Sequence, residues 1–488
     1  MRSTSELLKA LGPGYMASTA YDTAWMARLG EIDTNLYTNA LEWICNNQLQ
    51  DGSWGAKDIY YYHDRVISTL SAMIALTYRG RRSGDKKQIE NGLLALERIT
   101  DNATHGLSTT PSGPTVGFEL ITPTLVAEAE RLGIIKKQGD RILGRLKKLR
   151  EIKMNKLVGV KINRQITAVF SAEMAGFDSM NLLDTENLQE PNGSLGCSPS
   201  STAYFAQYIK PGDSKALAYL QNIANEGGAP NFAPFDIFER CWVLWNFSLL
   251  EDLSTEEMEL IHQNINYLKE RWVPKIGIGF ATDCQLYDSD DTSVMQRILL
   301  RFGHKPDLEA ILSYEEDEYF RCVQHEASPS VGVNIHILGA LKLSGFEKEH
   351  PSIQKIIKFL HKARNNRGYW FDKWHASPYY ITSHIVIECL EYDQELCQDA
   401  INWMLMTQNP DGSWGYFGFP TAEETAFCIQ ALKIWHKNGN TLPKGRIQMA
   451  MSWLSAHREP PYPWMWIAKT LYYPELIIQS SIITALEM

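Results

Sequence analysis

Apolar residues recur along much of this chain at intervals of three and four, and only sparsely in alternation. In EETAFCIQALKIW (423–435), Phe427, Ala431 and Ile434 make one row, and Cys428, Leu432 and Trp435 make the next. Two adjacent rows form a broad apolar face, which suits a helix packed between other helices. DRVISTLSAMIAL (64–76) does the same with Val66, Leu70 and Met73. The pattern predicts an all-α protein of helical hairpins joined by Gly, Pro and Asn turns.

The turns repeat. QLQDGSWG (48–55) and QNPDGSWG (408–415) share one frame, and QEPNGSLG (189–196) follows it more loosely, with Leu195 where the others have Trp54 and Trp414. The Asp-Gly or Asn-Gly pair supplies the unusual backbone angles of a tight turn, and the Trp supplies a large apolar anchor. Copies this far apart imply repeated helix–turn units and two related helical domains rather than a short-period solenoid. Weak linker signals are the Gly-Pro-Gly at 12–14 and NEGGAPNFAP at 225–234.

The 488 residues suffice for two or three domains with a large core. A net charge of −10 argues against a nucleic-acid partner, and no basic run reads as long enough to reverse that. The 8 cysteines form no CxxC pair and are scattered, which fits reduced core thiols. The start, MRSTSELLKALGPGY, lacks the apolar stretch of a secretory signal, and no apolar run reaches membrane-spanning length. A cytoplasmic protein is expected. Aromatic side chains are plentiful, with 14 Trp, 22 Tyr and 17 Phe. Most must be core, but a cavity walled with aromatic faces would suit a reaction that makes a cation.

One stretch carries chemistry. LYDSDDTSV (286–294) crowds Asp288, Asp290 and Asp291 together. The bland reading is an acidic helix N-terminus. A second is a magnesium site, but the DDxxD spacing of metal-triggered ionisation is missing, because Thr292, Ser293, Val294 and Met295 follow. The third is a Brønsted acid: crowded carboxylates cannot all ionise, so one keeps a proton above its free pKa. A base needing such an acid is an alkene or epoxide, and the carbocation formed needs a dry, π-lined site.

Taken in order, several segments resemble those of the class II terpene cyclases, which start polyene cyclisation by protonation. They are STAYDTAWMARL (18–29), QLQDGSWG, YYHDRVISTL, GFELITPTL (117–125), PNFAPFDIFER (230–240), DSDDTS (288–293), SVGVNIHILGAL (330–341), the second DGSWG and WIAKTLYYP (466–474). The resemblance covers nearly the whole chain. It implies two α/α-barrel domains, β and γ, with residues 1–32 and 222–488 forming β and 33–221 forming an inserted γ. It also makes Asp290 the proton donor, positioned by Asp288 and Asp291 and oriented by Asn334, with Thr292 and Ser293 as local hydrogen-bonding residues.

Two departures from the family bear on substrate and product. Diphosphate-using members carry an acidic cluster just before GFE, whereas STTPSGPTVGFE (108–119) has no carboxylate between Ser108 and Thr115. The position of a terminating His aligns with Phe170, while Asn231 keeps its partner's place. Lys469 matches a lysine placed near the anionic head group. The implied substrate is an apolar isoprenoid: a geranylgeranyl chain on a hydroxylated benzoic acid, or else geranylgeranyl diphosphate going to a copalyl- or labdadienyl-type product. A prenyl-binding helical scaffold is the non-enzyme alternative. No cofactor or protein metal site is expected, with Mg2+ entering only alongside a diphosphate, and peripheral membrane contact is a further expectation.

Overall fold

A computed structural model of the chain describes residues 1–106, 112–136, 138–144, 146–305 and 307–488. Six helices close into a ring in chain order: Asp236–Phe247, Ser289–Arg301, Val331–Leu343, Pro378–Cys389, Ala422–Lys437 and Glu475–Glu487. Each packs on the next, and the last returns to the first. The ring helices are buried along most of their length, so their apolar residues run all round. Val331–Leu343, for example, is buried continuously from Val331 to Leu341. Outer helices complete the barrel and are one-sided: Pro351–Ala363 buries Ile353, Ile356, Ile357 and Leu360 and leaves its other face to solvent. The N-terminal helix Thr4–Ala10 joins this outer layer against Thr255–Lys269.

A second, smaller ring is built from Ala20–Met26, Tyr62–Arg79, Phe118–Arg131, the 3₁₀ turns of Thr167–Ala175, and Pro199–Tyr204. Each ring encloses its own apolar core. Leu7, Leu8 and Met16 belong to the first, and Tyr21, Trp25 and Leu29 to the second. The chain crosses between the two cores after Met16, ahead of the expected boundary at residue 32, and Ala20–Met26, buried along its whole length, packs on Tyr62–Arg79 and Pro199–Tyr204.

The repeated turns have one mechanical role. The indole N–H groups of Trp54 and Trp414 donate to the carbonyls of Ile44 and Met404, each 2.8 Å away and ten residues back on an outer helix. The backbone N–H of the same residue donates to a threonine hydroxyl on the following ring helix, Thr69 and Thr425 respectively. Leu195 keeps only the second bond, to Thr202. A fourth copy, at Trp370, bonds Leu360 and Thr382 in the same way. It was not evident in the sequence because NNRGYW lacks the Asp-Gly frame. Each of the three Trp turns thus pins an outer helix to the next inner one.

All eight cysteines are unpaired, and seven are buried. Among the described residues no helix is long and apolar enough to cross a membrane.

Candidate active site

A two-residue antiparallel ribbon, Ile278–Gly279 with Tyr287–Asp288, leads into the helix Ser289–Arg301 and fixes where it starts. Asp288 caps that helix: its Oδ1 accepts the Asp291 backbone N–H at 2.8 Å. Thr292 ties the turn together, donating to the Asp288 carbonyl at 2.6 Å and accepting from the Ile278 N–H at 3.1 Å. Ser293 donates to the Asp290 carbonyl at 3.0 Å. The three carboxyls therefore sit in the first turn of a buried helix, not on a solvated acidic turn. Asp288, Asp290 and Asp291 are 8%, 8% and 3% exposed, and all three reach one cavity.

Burial drives protons onto Asp288 and Asp291. It pushes Asp288 up to about 7, with the charge of Asp290 adding to the shift. Burial also pushes Asp291 well above the ordinary carboxyl range, with Asp288 and then Asp290 adding. Asp288 and Asp291 adjoin in the same turn, so each opposes ionisation of the other.

Asp290 is held from a different side. Its Oδ1 lies 2.6 Å from Nδ1 of His336, on the neighbouring ring helix Val331–Leu343. Asn334, the expected orienting residue, does not take part. Its side chain accepts from the Phe320 N–H at 2.9 Å and donates to the Phe320 and Ser330 carbonyls, so it is consumed in holding a loop. The physical reason is helix phase: residues two apart point to well-separated faces, and it is His336 that faces the acid. On its far side, His336 Nε2 lies 2.8 Å from His384 Nδ1.

The cavity has a volume of about 560 Å³, within the range of ~300–1,000 Å³ usual for small-molecule sites. It runs between the two rings, and its walls are largely aromatic. Phe170 meets Phe232 and Phe280 edge-on, with ring centroids 6.2 and 6.4 Å apart. Phe238 stacks on Trp242 at 4.3 Å, and the Trp242 indole N–H donates to the Tyr380 hydroxyl at 2.9 Å. Trp466 and Tyr472 complete this part of the lining. Such a wall presents π faces to a developing cation while giving it no nucleophile. Gly117 shapes the opposite side: its φ of +72° is left-handed, and a side chain there would meet Ser171 Oγ at 2.5 Å.

Phe170 therefore lies on the cavity wall, as a hydrocarbon face. Lys469 and Asn231, expected to contact substrate, are placed otherwise, and neither lines the cavity. Lys469 Nζ is fully buried, 2.6 Å from Glu173 Oε1 and 2.7 Å from both Ser198 and Ser200. A cation buried this deeply needs a full set of partners, and those partners leave it none for a head group. Asn231 Oδ1 accepts from the Thr470 N–H and hydroxyl, both at 3.1 Å. These two residues tie the loop Trp466–Tyr472 to the second ring. The cation that does reach the cavity from that ring is Lys153, paired with Glu119 Oε2 at 2.9 Å. Of the carboxylate-free stretch, Ser108–Pro111 lie outside the described residues, and Ser112–Thr115 line the cavity.

Sequence reasoning missed His336, His384 and the Glu119–Lys153 pair. It also passed over the helix Leu146–Lys156 that carries Lys153. Residues 146–161 hold six Lys or Arg against one Glu, and Lys147, Lys148, Leu149 and Ile152 are exposed. The signals were present in VNIH and in this local charge bias, but nothing in the sequence aimed them at the acid or the cavity.

A buried acid beside an aromatic-walled cavity between two helical barrels defines a protonation-initiated polyene cyclase. Comparison with known proteins agrees. Residues 324–425 match the family Squalene-hopene cyclase C-terminal domain. The chain is 48% identical over 486 residues to the Type B diterpene cyclase of Mycobacterium tuberculosis, covering 98% of this chain and 97% of that one. It is 29% identical over 393 residues to the peregrinol diphosphate synthase of Vitex agnus-castus, whose length it spans by 47%. The solved ent-copalyl diphosphate synthase from Streptomyces platensis superposes with a TM-score of 0.78 at 26% identity, covering 99% of this chain and 98% of that one. This chain belongs to the class II diterpene cyclases.

Proposed function

We propose that the chain cyclises geranylgeranyl diphosphate. Asp290 transfers its proton to the terminal alkene, the neighbouring π bonds close in turn onto the cation, and loss of a proton from the carbon skeleton gives a bicyclic copalyl- or labdadienyl-type diphosphate. One proton enters and one leaves, so substrate and product are isomers and no redox cofactor is consumed. The observation that carries this reading is the buried Asp290–His336 contact opening onto the aromatic-walled cavity. A hydrogen bond donated to one carboxyl oxygen stabilises the carboxylate left behind, which strengthens the acid on the other oxygen.

The head group is inferred from two supports. The relatives that share this fold include proteins named as copalyl diphosphate synthases. The Lys153–Glu119 pair brings a cation and a carboxylate to the second ring's side of the cavity. Among the described residues no three His, Cys, Asp or Glu side chains are grouped to hold a metal by themselves. Mg2+ commonly binds one or two carboxylates together with substrate phosphates, and Glu119 would serve as such a ligand. The ion would supply charge neutralisation for the diphosphate. Asp290 does not depend on it.

A hydroxylated-benzoate head group is the second reading. It keeps the absence of carboxylates between Ser108 and Thr115, but Glu119 supplies a carboxylate four residues further on. Paired turnover assays separate the two. The purified protein is given geranylgeranyl diphosphate with and without Mg2+, and separately a geranylgeranylated dihydroxybenzoate, with isomeric products read by chromatography and mass spectrometry. Conversion of the diphosphate is expected; conversion of the benzoate alone would reverse the assignment. Turnover by a folded Asp290→Asn variant would remove Asp290 as the acid.

A further inference from the structure

His384 lies in the ring helix Pro378–Cys389 and outside the cavity lining. It is 2% exposed, stacked on Trp245 with ring centroids 4.1 Å apart and an 18° interplanar angle. Tyr380 packs on it at 4.5 Å, one turn earlier in the same helix. The stack and the neighbouring ring leave its imidazole one orientation. In that orientation Nδ1 faces His336 Nε2 at 2.8 Å.

Two neutral imidazole nitrogens this close share a single proton, and where it sits decides the state of Asp290. If His384 holds the proton on Nδ1 and donates it, His336 accepts at Nε2 and must carry its own proton on Nδ1. His336 then donates to Asp290 Oδ1, and the acid's proton is left on Oδ2. If instead His336 holds the proton on Nε2, its Nδ1 is a bare lone pair. It then accepts the Asp290 proton on Oδ1, which is thereby drawn away from substrate. Only the first arrangement makes Asp290 a donor to an alkene.

We propose that His384 is a positioning residue that holds His336 in its Nδ1–H tautomer and so aims the proton of Asp290; this rests on Asp290 being the acid. A further contact favours that tautomer: Asp290 Oδ1, 2.6 Å from His336 Nδ1, is a carboxyl acceptor placed for an N–H on that nitrogen. The charges near His384 point the same way. The Arg297 guanidinium lies 5.2 Å over the Trp245 ring, while Glu388, one turn along the helix, is occupied by Arg297 at 2.5 Å and Lys342 at 3.4 Å. His375 stacks on the opposite end of the cluster, against Tyr380 at 4.9 Å. Burial, with His336, Arg297 and His375 adding, holds His384 well below the ordinary imidazole range, which keeps it neutral and limited to one N–H.

The test joins kinetics to a direct tautomer readout. His384→Phe keeps a ring on Trp245 but removes the donor. It is expected to lower kcat about 10- to 100-fold, the usual cost of losing a partner that fixes a functional histidine, with KM unchanged. His384→Asn places an amide N–H where Nδ1–H stood and is expected to recover most of the rate. Independently, 15N NMR of the wild-type chain with labelled histidine, with His336 assigned through His336→Gln, is expected to show a neutral Nδ1–H imidazole. Wild-type kcat in a folded His384→Phe variant, or an Nε2–H tautomer at His336, would overturn the proposal. Turnover by Asp290→Asn would instead defeat the acid assignment, and the NMR result would still decide the tautomer.

Discussion

His336 Nδ1 meets Asp290 Oδ1 at 2.6 Å across two adjacent helices of the larger ring, although 46 residues separate them in the chain. The contact lies beside Asp288 and Asp291, both of which burial pushes above the ordinary carboxyl range. Removing the donor by His336→Phe should lower kcat by about 10²–10³-fold, as befits a group acting on a proton transfer. His336→Asn retains an N–H for the same oxygen and should lose less. Steady-state rates of the two variants, with folding checked by circular dichroism, measure the difference, and equal losses would show that donation is not what matters.

The rate should fall as pH rises past about 7. Asp288 is pushed up to about 7, chiefly by burial. Above that value Asp288 is ionised, and its negative charge beside Asp290 opposes the carboxylate that protonation of the alkene leaves behind. Stability should move in the same direction. A carboxyl with a folded pKa raised above its unfolded value contributes most at low pH, and that contribution is lost as pH climbs through the folded value. Asp22 and Glu424, each at about 7, and Glu239 at about 8 add to the effect. The thermal midpoint should therefore fall mainly between about pH 4 and about pH 8, from the unfolded values to the folded ones, while the rate falls past about pH 7; both are measured from about pH 4 to about pH 9.

Phe170 presents a hydrocarbon face to the cavity, at the position where the family resemblance leads one to expect a terminating His. Phe170→His places an imidazole within reach of the cyclised cation. It should change the product distribution without abolishing turnover, since the acid is untouched. Gas chromatography of the dephosphorylated products reads the change, and an unaltered profile would place the terminating base elsewhere.

Lys469→Met should unfold the protein more readily while leaving the acid in place. The substitution strands the buried Glu173 carboxylate, at a cost of about 3–5 kcal/mol for breaking a buried pair. Glu173→Leu combined with Lys469→Met removes both charges and should recover much of that loss. Denaturant unfolding of the single and double variants gives the comparison; a single variant as stable as wild type would show that Lys469 does not clamp the two rings.

The sequence by itself determined the class of fold and the identity of the acidic cluster. Helical spacing such as that of Phe427, Ala431 and Ile434 depends on residues three or four apart sharing one face, a local property that survives without coordinates. The DGSWG turns were legible for the same reason: their chemistry lies within eight residues. What lay between distant segments was not. VNIH offers an asparagine and a histidine two positions apart, and only the phase of the helix against Ser289–Arg301 decided that His336, not Asn334, reaches Asp290. Lys469 looked like a free cation in WIAKTLY because its partners Glu173, Ser198 and Ser200 come from about 270 to 300 residues earlier. Local periodicity is written in neighbouring residues, whereas hydrogen-bond partners and cavity walls are set by how whole helices pack, and that packing belongs to the tertiary structure alone.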